Sequence, residues 1–391
     1  MLAAPSTARL AAVRSAAAAA VPGVVDLAAT LAKIPAPTGD EAARSAFVAD
    51  WLAERGLPTR TDDLHDVVAT VAGVDPDAPA VLFAAHLDTV FAKETPLPIR
   101  REGGRVHGPG IGDNCAGLAA VLSLPDVLRA AGERPAVDLL LTGNVGEEGL
   151  GNLRGIRAVL DAEPRVGAVV AVEGHVLGRV THVAVGSRRY RITATGPGGH
   201  SWGDWGRPSA LHALAKLVAD LDAIPLPRVP KTTLNVGVIE GGISVNSIAP
   251  SASCLVDLRS VDEPSLARLA ERVQRVVDGA GRNGIAFEQE ELGIRPAGMV
   301  PLGQPIVRIA AETLASLGIE ASFDASSTDA NISISRGTPS VCVGLTTGGN
   351  VHREDEFIDV APLADGLAQL AILALEVADA LAAGTLTPDA R

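Results

Sequence analysis

Cysteine and positive charge are both scarce in this sequence. Only three of its 391 residues are cysteine, namely Cys115, Cys254 and Cys342, and no two of them form a CxxC pair. This argues against a disulfide framework and indicates a reducing compartment, so we expect a cytoplasmic protein. The formal net charge of −13 argues against nucleic acid or an anionic membrane as a partner, because both attract a basic surface.

The sequence also lacks an uninterrupted hydrophobic segment of membrane-spanning length, so we expect no transmembrane helix and no membrane partner. Its Ala-rich N-terminus resembles a secretory signal in composition. Arg9 and Arg14, however, interrupt the apolar run at helical spacing. This spacing favours an amphipathic surface helix over the apolar core of a signal peptide.

Nearly half of the residues are hydrophobic (47%), and the chain is long enough for two domains. Four short, almost continuous apolar runs cover residues 80–86, 137–143, 166–174 and 339–345. Helical segments separate them, and such runs are typical of parallel strands that are buried on both faces. The predicted fold is therefore α/β, with a mostly parallel mixed sheet flanked by helices. Ligands of such sheets bind beyond the carboxyl ends of the strands.

Residues 186–295 have a different pattern. Polar and apolar residues alternate in RRYRITATG and CLVDLRSV, and helical patterns lie at PSALHALAKLVADLDAI and SLARLAERVQRVVDGAG. This predicts an antiparallel sheet covered by two helices, an α+β domain inserted into the α/β chain. The larger domain would then be discontinuous and comprise residues 1–185 and 296–391.

Residue types that bind metal follow the predicted strands. The first strand ends in His86, and Asp88 lies two residues later on the same face, where it can hold the imidazole in one tautomer. The Gly-rich loop GPGIGDNCAG contains Asp113, and the adjacent pair Glu147 and Glu148 follows the second strand. Two neighbouring carboxylates repel each other unless they are exposed or bound to a cation. Alone, each motif is also explained by a surface turn or a structural histidine.

Two more candidates complete this set. Glu173 lies at the end of the third apolar run, where a buried carboxylate requires a partner, and His352 follows the fourth run after a Gly-rich turn. A lone histidine after a loop usually has no ligand role. The conjunction is informative, because each of four predicted parallel strands is followed by a metal-binding residue type. In addition, Asp113 supplies a carboxylate that can bridge two cations.

Seven motifs resemble, in order and spacing, the M20 family of metallopeptidases: AHLDTV, GPGIGDNCAG, GEEGLG, VEG, GPGGHSWG, GGISVNSIAP and NVHREDEF. The resemblance extends over about residues 24–375. Within the family the chain is most similar to the aminopeptidase T and glutamate carboxypeptidase-like branches. Many relatives have a lysine two positions after the bridging aspartate, whereas this chain has Cys115. That departure concerns the branch and leaves the metal-binding residues intact.

The resemblance implies a cofactor of two zinc ions, for which cobalt or manganese could substitute. Asp113 would bridge the two ions. His86 and Glu173 would complete the ligands of one ion, and Glu148 and His352 would complete those of the other.

The implied activity is hydrolysis of an amide bond in a small peptide or an N-acyl amino acid, with exopeptidase action expected. Aminopeptidase, carboxypeptidase and aminoacylase specificities all remain open. The nucleophile would be a hydroxide shared by the two ions, which also polarise the scissile carbonyl. Glu147 would act as the general base and pass the proton to the leaving amine, and Asp88 would orient the His86 ring.

For residues 186–295 the resemblance implies a dimerisation or lid domain, and hence a homodimer. His200 would donate a hydrogen bond to the oxyanion in the partner subunit's site. Asn246 and Arg259 would bind a carboxylate of the substrate, for which an arginine fork is well suited. As an alternative, Arg259 is an edge-strand charge paired with Asp257.

Asp329 and Asn331 resemble residues of a substrate-lining loop, although ordinary turn chemistry also explains them. A serine hydrolase is a rival, because Ser201 in GHSWG matches the GxSxG elbow and Asp329 and His352 follow in the Ser, Asp, His order. Against it, GDWGRP separates the motif from the next helix, and four acidic residues stay unexplained. A third alternative is a non-catalytic metal-binding homologue, but the chain has lost neither a ligand nor the base.

Overall fold

The computed structural model describes residues 6–281 and 283–386. These residues form two compact units, one of residues 6–184 and 299–386 and the other of residues 185–281 and 283–298. The sequence pattern placed the limits of the inserted domain at residues 186 and 295. The larger unit carries the α/β part of the chain, and the smaller unit carries the α+β part.

The described residues of both units form the following helices and strands, which alternate along most of the larger unit. The helices are α1 (Thr7–Leu31), α2 (Ala42–Glu54), α3 (Gly117–Ala130), α4 (Arg154–Ala162), α5 (Ala210–Asp222), α6 (Glu263–Ala280), α7 (Pro305–Ser316), α8 (Ala330–Ser335) and α9 (Leu363–Ala382). The strands are β1 (Thr59–Thr61), β2 (Val67–Val71), β3 (Ala80–His86), β4 (Arg100–Glu102), β5 (Arg105–His107), β6 (Leu139–Asn144), β7 (Val166–Glu173), β8 (Arg179–Ala184), β9 (Gly186–Thr195), β10 (Gly199–His200), β11 (Thr232–Gly241), β12 (Ser247–Ile248), β13 (Ser251–Ser260), β14 (Ala286–Arg295), β15 (Gly298–Met299), β16 (Ser322–Ser326), β17 (Ser340–Gly344), β18 (Gly348–Gly349) and β19 (Phe357–Asp359).

The main sheet of the larger unit has the strand order β1-β2-β6-β3-β7-β17-β8. Its inner strands β6, β3, β7 and β17 are parallel, whereas β2 is antiparallel to β6 and β8 is antiparallel to β17. These inner strands are the apolar runs of the sequence, and every residue of β3, β6 and β17 is buried. The predicted α/β fold with a mostly parallel mixed sheet is therefore confirmed.

Successive residues of β3 face two different helical layers. Val81 and Phe83 belong to the cluster formed with α1, α3 and α9, while Leu82 and Ala84 belong to the cluster formed with α4 and α8. Burying a leucine or phenylalanine side chain contributes about 1.5–3 kcal/mol. Because both faces are covered, the strand shows no polar alternation until it reaches the edge of the sheet at His86.

Two helical segments, Thr7–Leu31 and Ile111–Ala130, are long and apolar enough to cross a membrane by length and composition. The expectation that no stretch qualifies was therefore wrong. Arg9 and Arg14 both lie near the start of α1, and Asp26 is the one charged residue in the rest of the helix. In the most apolar 18-residue stretch of the second segment 89% of the residues are buried, as in a core helix, and α1 packs against α3 and α9. The absence of a membrane partner stays a prediction.

The smaller unit contains an antiparallel sheet of strand order β11-β13-β9-β14. Ile192 of β9 and Val256 of β13 lie on the face that packs against α5 and α6. Because side chains alternate along a strand, Arg189, Asp257 and Arg259 belong to the opposite face, where no helix of this unit covers the described residues. The unit therefore has one apolar face and one charged face.

Candidate metal centre

The residues predicted to bind metal lie together at the carboxyl ends of the parallel strands. His86 is the last residue of β3 and Glu173 is the last residue of β7, while Glu148 follows β6. Asp113 lies in the loop before α3, where its backbone angles are not helical, and His352 lies between β18 and β19. Parallel strands end at one edge of a sheet, so residues far apart in the sequence meet there.

Asp113 lies between the two histidines. Its Oδ1 atom is 3.1 Å from His86 Nε2, and its Oδ2 atom is 3.0 Å from His352 Nε2. Glu173 Oε2 lies 3.9 Å from His86 Nε2, and Glu148 Oε1 lies 3.1 Å from His352 Nε2. The geometry thus yields two groups with metal-binding spacing that share Asp113, each with one histidine and one glutamate of its own.

The donor set suits a cation. The Nε2 atom of His86 is buried and has no hydrogen-bond partner among the described residues, although Asp113 Oδ1 is close to it. His86 Nε2 faces the carboxylates of Asp113 and Glu173, and a cation bound between them would be a ligand partner for all three groups. Imidazole nitrogens and carboxylate oxygens are ligands that zinc, cobalt and manganese accept. The residues present therefore fit a dinuclear metal site.

Burial and mutual repulsion perturb the acids and histidines of the site. Burial raises the pKa of Glu173 to about 8, and the charge of Asp113 adds to that effect. The hydrogen bond with Asp113 and the charge of Glu148 raise the pKa of His352 to about 9. Burial disfavours ionised Asp113, but its contacts with His352 and His86 lower its pKa well below the usual range. Such shifts are typical of a functional site in which a cation would supply the missing charge.

Asp88 makes a different contact from the one that the sequence suggested. His86 Nδ1 lies 3.0 Å from the backbone carbonyl oxygen of Asp88 and 3.6 Å from its carboxylate. The carboxylate instead accepts the backbone N–H groups of Glu147 and Glu148, each at 2.9 Å, and the hydroxyl of Thr38 at 2.8 Å. The carbonyl fixes the His86 tautomer, with Nδ1–H as the donor and Nε2 free to bind metal. The side chain positions the Glu147–Glu148 turn.

Glu147 and Glu148 lie in a tight turn after β6. Gly146 has a φ of 69°, and a Cβ atom there would come within 2.5 Å of the Arg154 guanidinium. The turn therefore requires glycine. Both glutamates are buried, with exposed fractions of 6% and 7%. One atom from each of His86, Glu147 and Glu148 also lies within 4.8 Å of the others, so Glu147 reaches the site edge.

Residues 82–376 match the sequence profile of Peptidase family M20/M25/M40, which is more than half of the chain. The chain belongs to this family. The predicted resemblance is thereby confirmed, and with it the assignment as a hydrolase of the M20 type.

Relatives of known name cover most of the chain. A succinyl-diaminopimelate desuccinylase of Corynebacterium glutamicum is 27% identical over 347 residues, which are 86% of this chain and 91% of the relative. The crystal structure of a tripeptidase from Staphylococcus aureus has a TM-score of 0.78 at 21% identity and covers 92% of this chain and 98% of its own. A dinuclear metal binding M20 peptidase of Bacillus subtilis has a TM-score of 0.67 at 18% identity, covering 92% and 99%.

His200 of this M20 protein is held in one tautomer. Its Nδ1 atom accepts the backbone N–H groups of Trp202 at 3.2 Å and Gly203 at 3.1 Å, and its own backbone N–H donates to Asp204 Oδ2 at 2.8 Å. Since Nδ1 is an acceptor, Nε2 carries the proton of the neutral ring. His200 is exposed and is therefore arranged as a hydrogen-bond donor.

Arg259 and Asn246 belong to the smaller unit. Arg259 lies on its charged face, and Asn246 lies in the loop between β11 and β12. Arg259 Nε donates to Asp257 Oδ2 at 2.7 Å, and Arg189 Nε donates to Asp257 Oδ1 at 3.1 Å. The pairing with Asp257 thus occurs, but β13 is an inner strand rather than an edge strand. Two arginines thus share the carboxylate of Asp257. The exposed Asn246 side chain accepts the Ser244 hydroxyl at 2.9 Å.

Asp329 and Asn331 are buried. Asp329 Oδ1 accepts the Asn144 side-chain amide at 2.8 Å, and Asn331 Oδ1 accepts the backbone N–H of Thr328 at 3.0 Å. The exposed fractions of Asp329 and Asn331 are 2% and 0%. The turn chemistry considered for this segment is therefore present, and a contact with substrate stays a prediction.

The serine hydrolase alternative lacks its geometry. Ser201 follows the short strand β10, and the next helix begins only at Ala210. His352 contacts the carboxylates of Asp113 and Glu148, and Asp329 is hydrogen-bonded to Asn144. A nucleophile elbow requires a direct turn from strand to helix, and a triad requires an aspartate that is hydrogen-bonded to the histidine and orients it toward the serine.

Sequence reasoning missed Glu356. Its carboxylate is fully buried and accepts several backbone N–H groups from the loop that ends at Asp113. In the sequence it lies in the acidic run REDEF, where it is indistinguishable from its exposed neighbours Glu354 and Asp355. The sequence feature that could have indicated burial is the apolar pair Phe357 and Ile358, which directly follows Glu356 and forms part of β19.

Proposed function

We propose that this M20 hydrolase is a dinuclear zinc enzyme that cleaves the amide bond of a small peptide or an N-acyl amino acid. The observation that carries the proposal is the position of Asp113, whose two oxygens face two different histidines at 3.1 and 3.0 Å. His86 and Glu173 would hold one ion with Asp113, and His352 and Glu148 would hold the other. When bound, the two ions would polarise the scissile carbonyl and stabilise developing negative charge.

Glu147 is the proposed general base. It would accept the proton of the attacking water and then donate it to the leaving amine, as a carboxyl group at the edge of a buried site can do. Its backbone is held by Asp88, which also holds the backbone of Glu148. One buried carboxylate therefore fixes the relative positions of the proposed base and of a proposed ligand.

Three residues of the smaller unit are proposed to act on substrate. His200 would donate its Nε2–H group to the oxyanion, which is supported by the two backbone N–H groups that occupy its Nδ1 atom. Arg259 and Asn246 would bind the substrate's free carboxylate. Arg259 lies on the face of the sheet opposite α5 and α6, and its guanidinium can bind a carboxylate through two parallel hydrogen bonds.

We further propose a homodimer formed through residues 186–295, in which His200 serves the site of the other subunit. Strand β11 lies at the end of its sheet and exposes Val238 and Ile239, with exposed fractions of 46% and 51%. An apolar strand edge of this kind pairs readily with another strand. We place the enzyme in the cytoplasm because its three cysteines are free and buried.

The proposed substrates follow from the relatives. One is named as a succinyl-diaminopimelate desuccinylase and another as a tripeptidase. Removal of an acyl group and cleavage of a short peptide are both hydrolyses of an amide bond. A panel of dipeptides, tripeptides and N-acyl amino acids, each with its C-terminal amide as a control, would therefore define the substrate of the present chain.

The panel should be measured on protein as purified, after EDTA treatment and after re-addition of zinc, cobalt or manganese. We expect EDTA to abolish hydrolysis and metal to restore it. Activity that resists EDTA but falls with a serine-directed inhibitor would support the Ser201 alternative. Metal binding without hydrolysis of any panel member would support a non-catalytic homologue.

A further inference from the structure

Glu356 joins the loop of Asp113 to the loop of His352. It lies four residues after His352, and its side chain is fully buried. Its Oε2 atom accepts the backbone N–H of Gly110 at 2.9 Å, and its Oε1 atom accepts those of Gly112 at 3.0 Å and Asp113 at 2.8 Å. The carboxylate thus receives three backbone N–H groups from one short segment.

A fourth donor to Glu356 is His175, which lies two residues after the end of β7. His175 Nε2 lies 2.8 Å from Glu356 Oε1, and the ring is buried, with its Nδ1 atom unpaired among the described residues. The ring packs directly on Gly112, where an added Cβ atom would come within 2.0 Å of His175 Nε2. Since Glu356 is the acceptor, Nε2–H is the donor. Glycine at position 112 allows the ring and the carboxylate to share one side of the loop.

The backbone completes the connection. The N–H of Gly108 donates to the carbonyl oxygen of Glu356 at 2.9 Å. Residues 108–113 are therefore bound to Glu356 by its main chain at one end and by its side chain at the other. A buried carboxylate needs such donors, and hydrogen bonds to a charged acceptor are stronger than neutral ones. The Asp113 side chain, which faces both histidines, is held at its own backbone N–H.

We propose that Glu356, supported by His175, is a positioning residue that holds Asp113 so that each of its oxygens faces one metal. This proposal rests on the dinuclear site proposed above. Glu356 itself would contact neither the metals nor the substrate. It would act through the backbone N–H of Asp113. Because Glu356 and His352 lie in the same loop, Glu356 would also fix the position of Asp113 relative to His352.

The first test is Glu356→Gln, with Glu354→Gln as the matched control. The amide nitrogen of glutamine cannot accept an N–H group, so at least one contact to Gly110, Gly112 or Asp113 must be lost. We expect the affinity for zinc, measured by competition with a chromophoric chelator, to fall by about 10- to 100-fold, as for other residues that orient ligands. Glu354 is exposed on the same loop, and its variant should keep the wild-type affinity.

The second test uses His175→Leu and His175→Gln. Leucine removes the donor to Glu356 at similar volume, whereas glutamine can place an N–H donor near the position of His175 Nε2. We expect weaker zinc binding in the leucine variant and recovery of most of the affinity in the glutamine variant. This pair keeps the proposal testable if Glu356→Gln does not fold, which circular dichroism of the metal-free proteins would reveal.

The outcomes separate this inference from the proposed function. Wild-type protein that binds fewer than two zinc ions by elemental analysis would contradict the dinuclear site itself. Two bound ions in the wild type, with unchanged affinity in folded Glu356→Gln and His175→Leu, would overturn the positioning role alone. Equal loss of affinity in both His175 variants would show that ring packing matters rather than the hydrogen bond, and would remove His175 from the proposal.

Discussion

Glu147 and Glu148 are neighbours in the sequence but have different surroundings. Glu148 Oε1 lies 3.1 Å from His352 Nε2, and the charge of Asp113 adds to burial in raising the pKa of Glu148. Glu147 groups instead with His86 and Glu148 at metal-binding spacing. At the scale of single residues, the two acids should therefore fail in different ways.

The corresponding prediction compares Glu147→Ala with Glu148→Ala. Glu147→Ala should retain two metal ions and lose turnover by about 100-fold or more, the usual contribution of a general base. Glu148→Ala should lose metal as well, because it removes a proposed ligand. Elemental analysis of the purified variants decides between them. Equal metal loss in both would show that Glu147 is also a ligand.

A second prediction at this scale concerns Asp88→Ala. The carbonyl that accepts His86 Nδ1–H belongs to the backbone and survives the substitution, whereas the acceptor of the Glu147 and Glu148 N–H groups does not. We expect turnover to fall more than metal affinity, with a stability cost of about 1–3 kcal/mol for each buried N–H left unpaired. Thr38→Val, which removes only the hydroxyl donor to Asp88, is the milder control. Loss of metal in proportion to activity would restore Asp88 as the residue that orients His86.

Among the elements, the inner strands could be predicted from the sequence. A strand that is buried on both faces has a continuous apolar run, and that run is visible in the local sequence. The residues proposed as ligands could be predicted to lie together, because parallel strands end at one edge of a sheet. Glu356 and Thr38 could not, because their contacts link residues 243 and 50 positions away from them. The apolar length of α1 was missed because the two arginines lie at one end of the helix rather than spread along it.

The third prediction concerns Arg259 in strand β13. Arg259→Ala should slow substrates with a free C-terminal carboxylate far more than their amides, because a desolvated charge pair broken from one side costs about 2–5 kcal/mol. Arg275→Ala, which removes an exposed arginine that lies 3.9 Å from Glu271 on α6, is the matched control. The ratio of kcat/KM for acid and amide substrates is the measurement. An unchanged ratio would assign Arg259 to the pairing with Asp257.

In the whole molecule, the residues to which we assign catalytic roles are divided between the two compact units of the chain. The larger unit carries the residues proposed to bind metal and the proposed base Glu147, and the smaller unit carries His200 and Arg259. A chain with an exposed strand edge in the smaller unit has the means to form a symmetric dimer. Whether His200 acts in its own subunit or in the partner is therefore a question about assembly, and it can be answered with inactive variants.

The last prediction uses mixed dimers of Glu147→Ala and His200→Ala. Each homodimer should be nearly inactive, the first because it lacks the base and the second because it lacks the oxyanion donor. If His200 serves the other subunit, one site of a mixed dimer collects both defects and the other site collects neither. Random exchange makes about half of the dimers mixed, so restored activity should approach about a quarter of the wild-type value. If His200 acts in its own subunit, both sites of the mixed dimer stay defective, and activity does not return even when mass spectrometry of tagged chains verifies exchange.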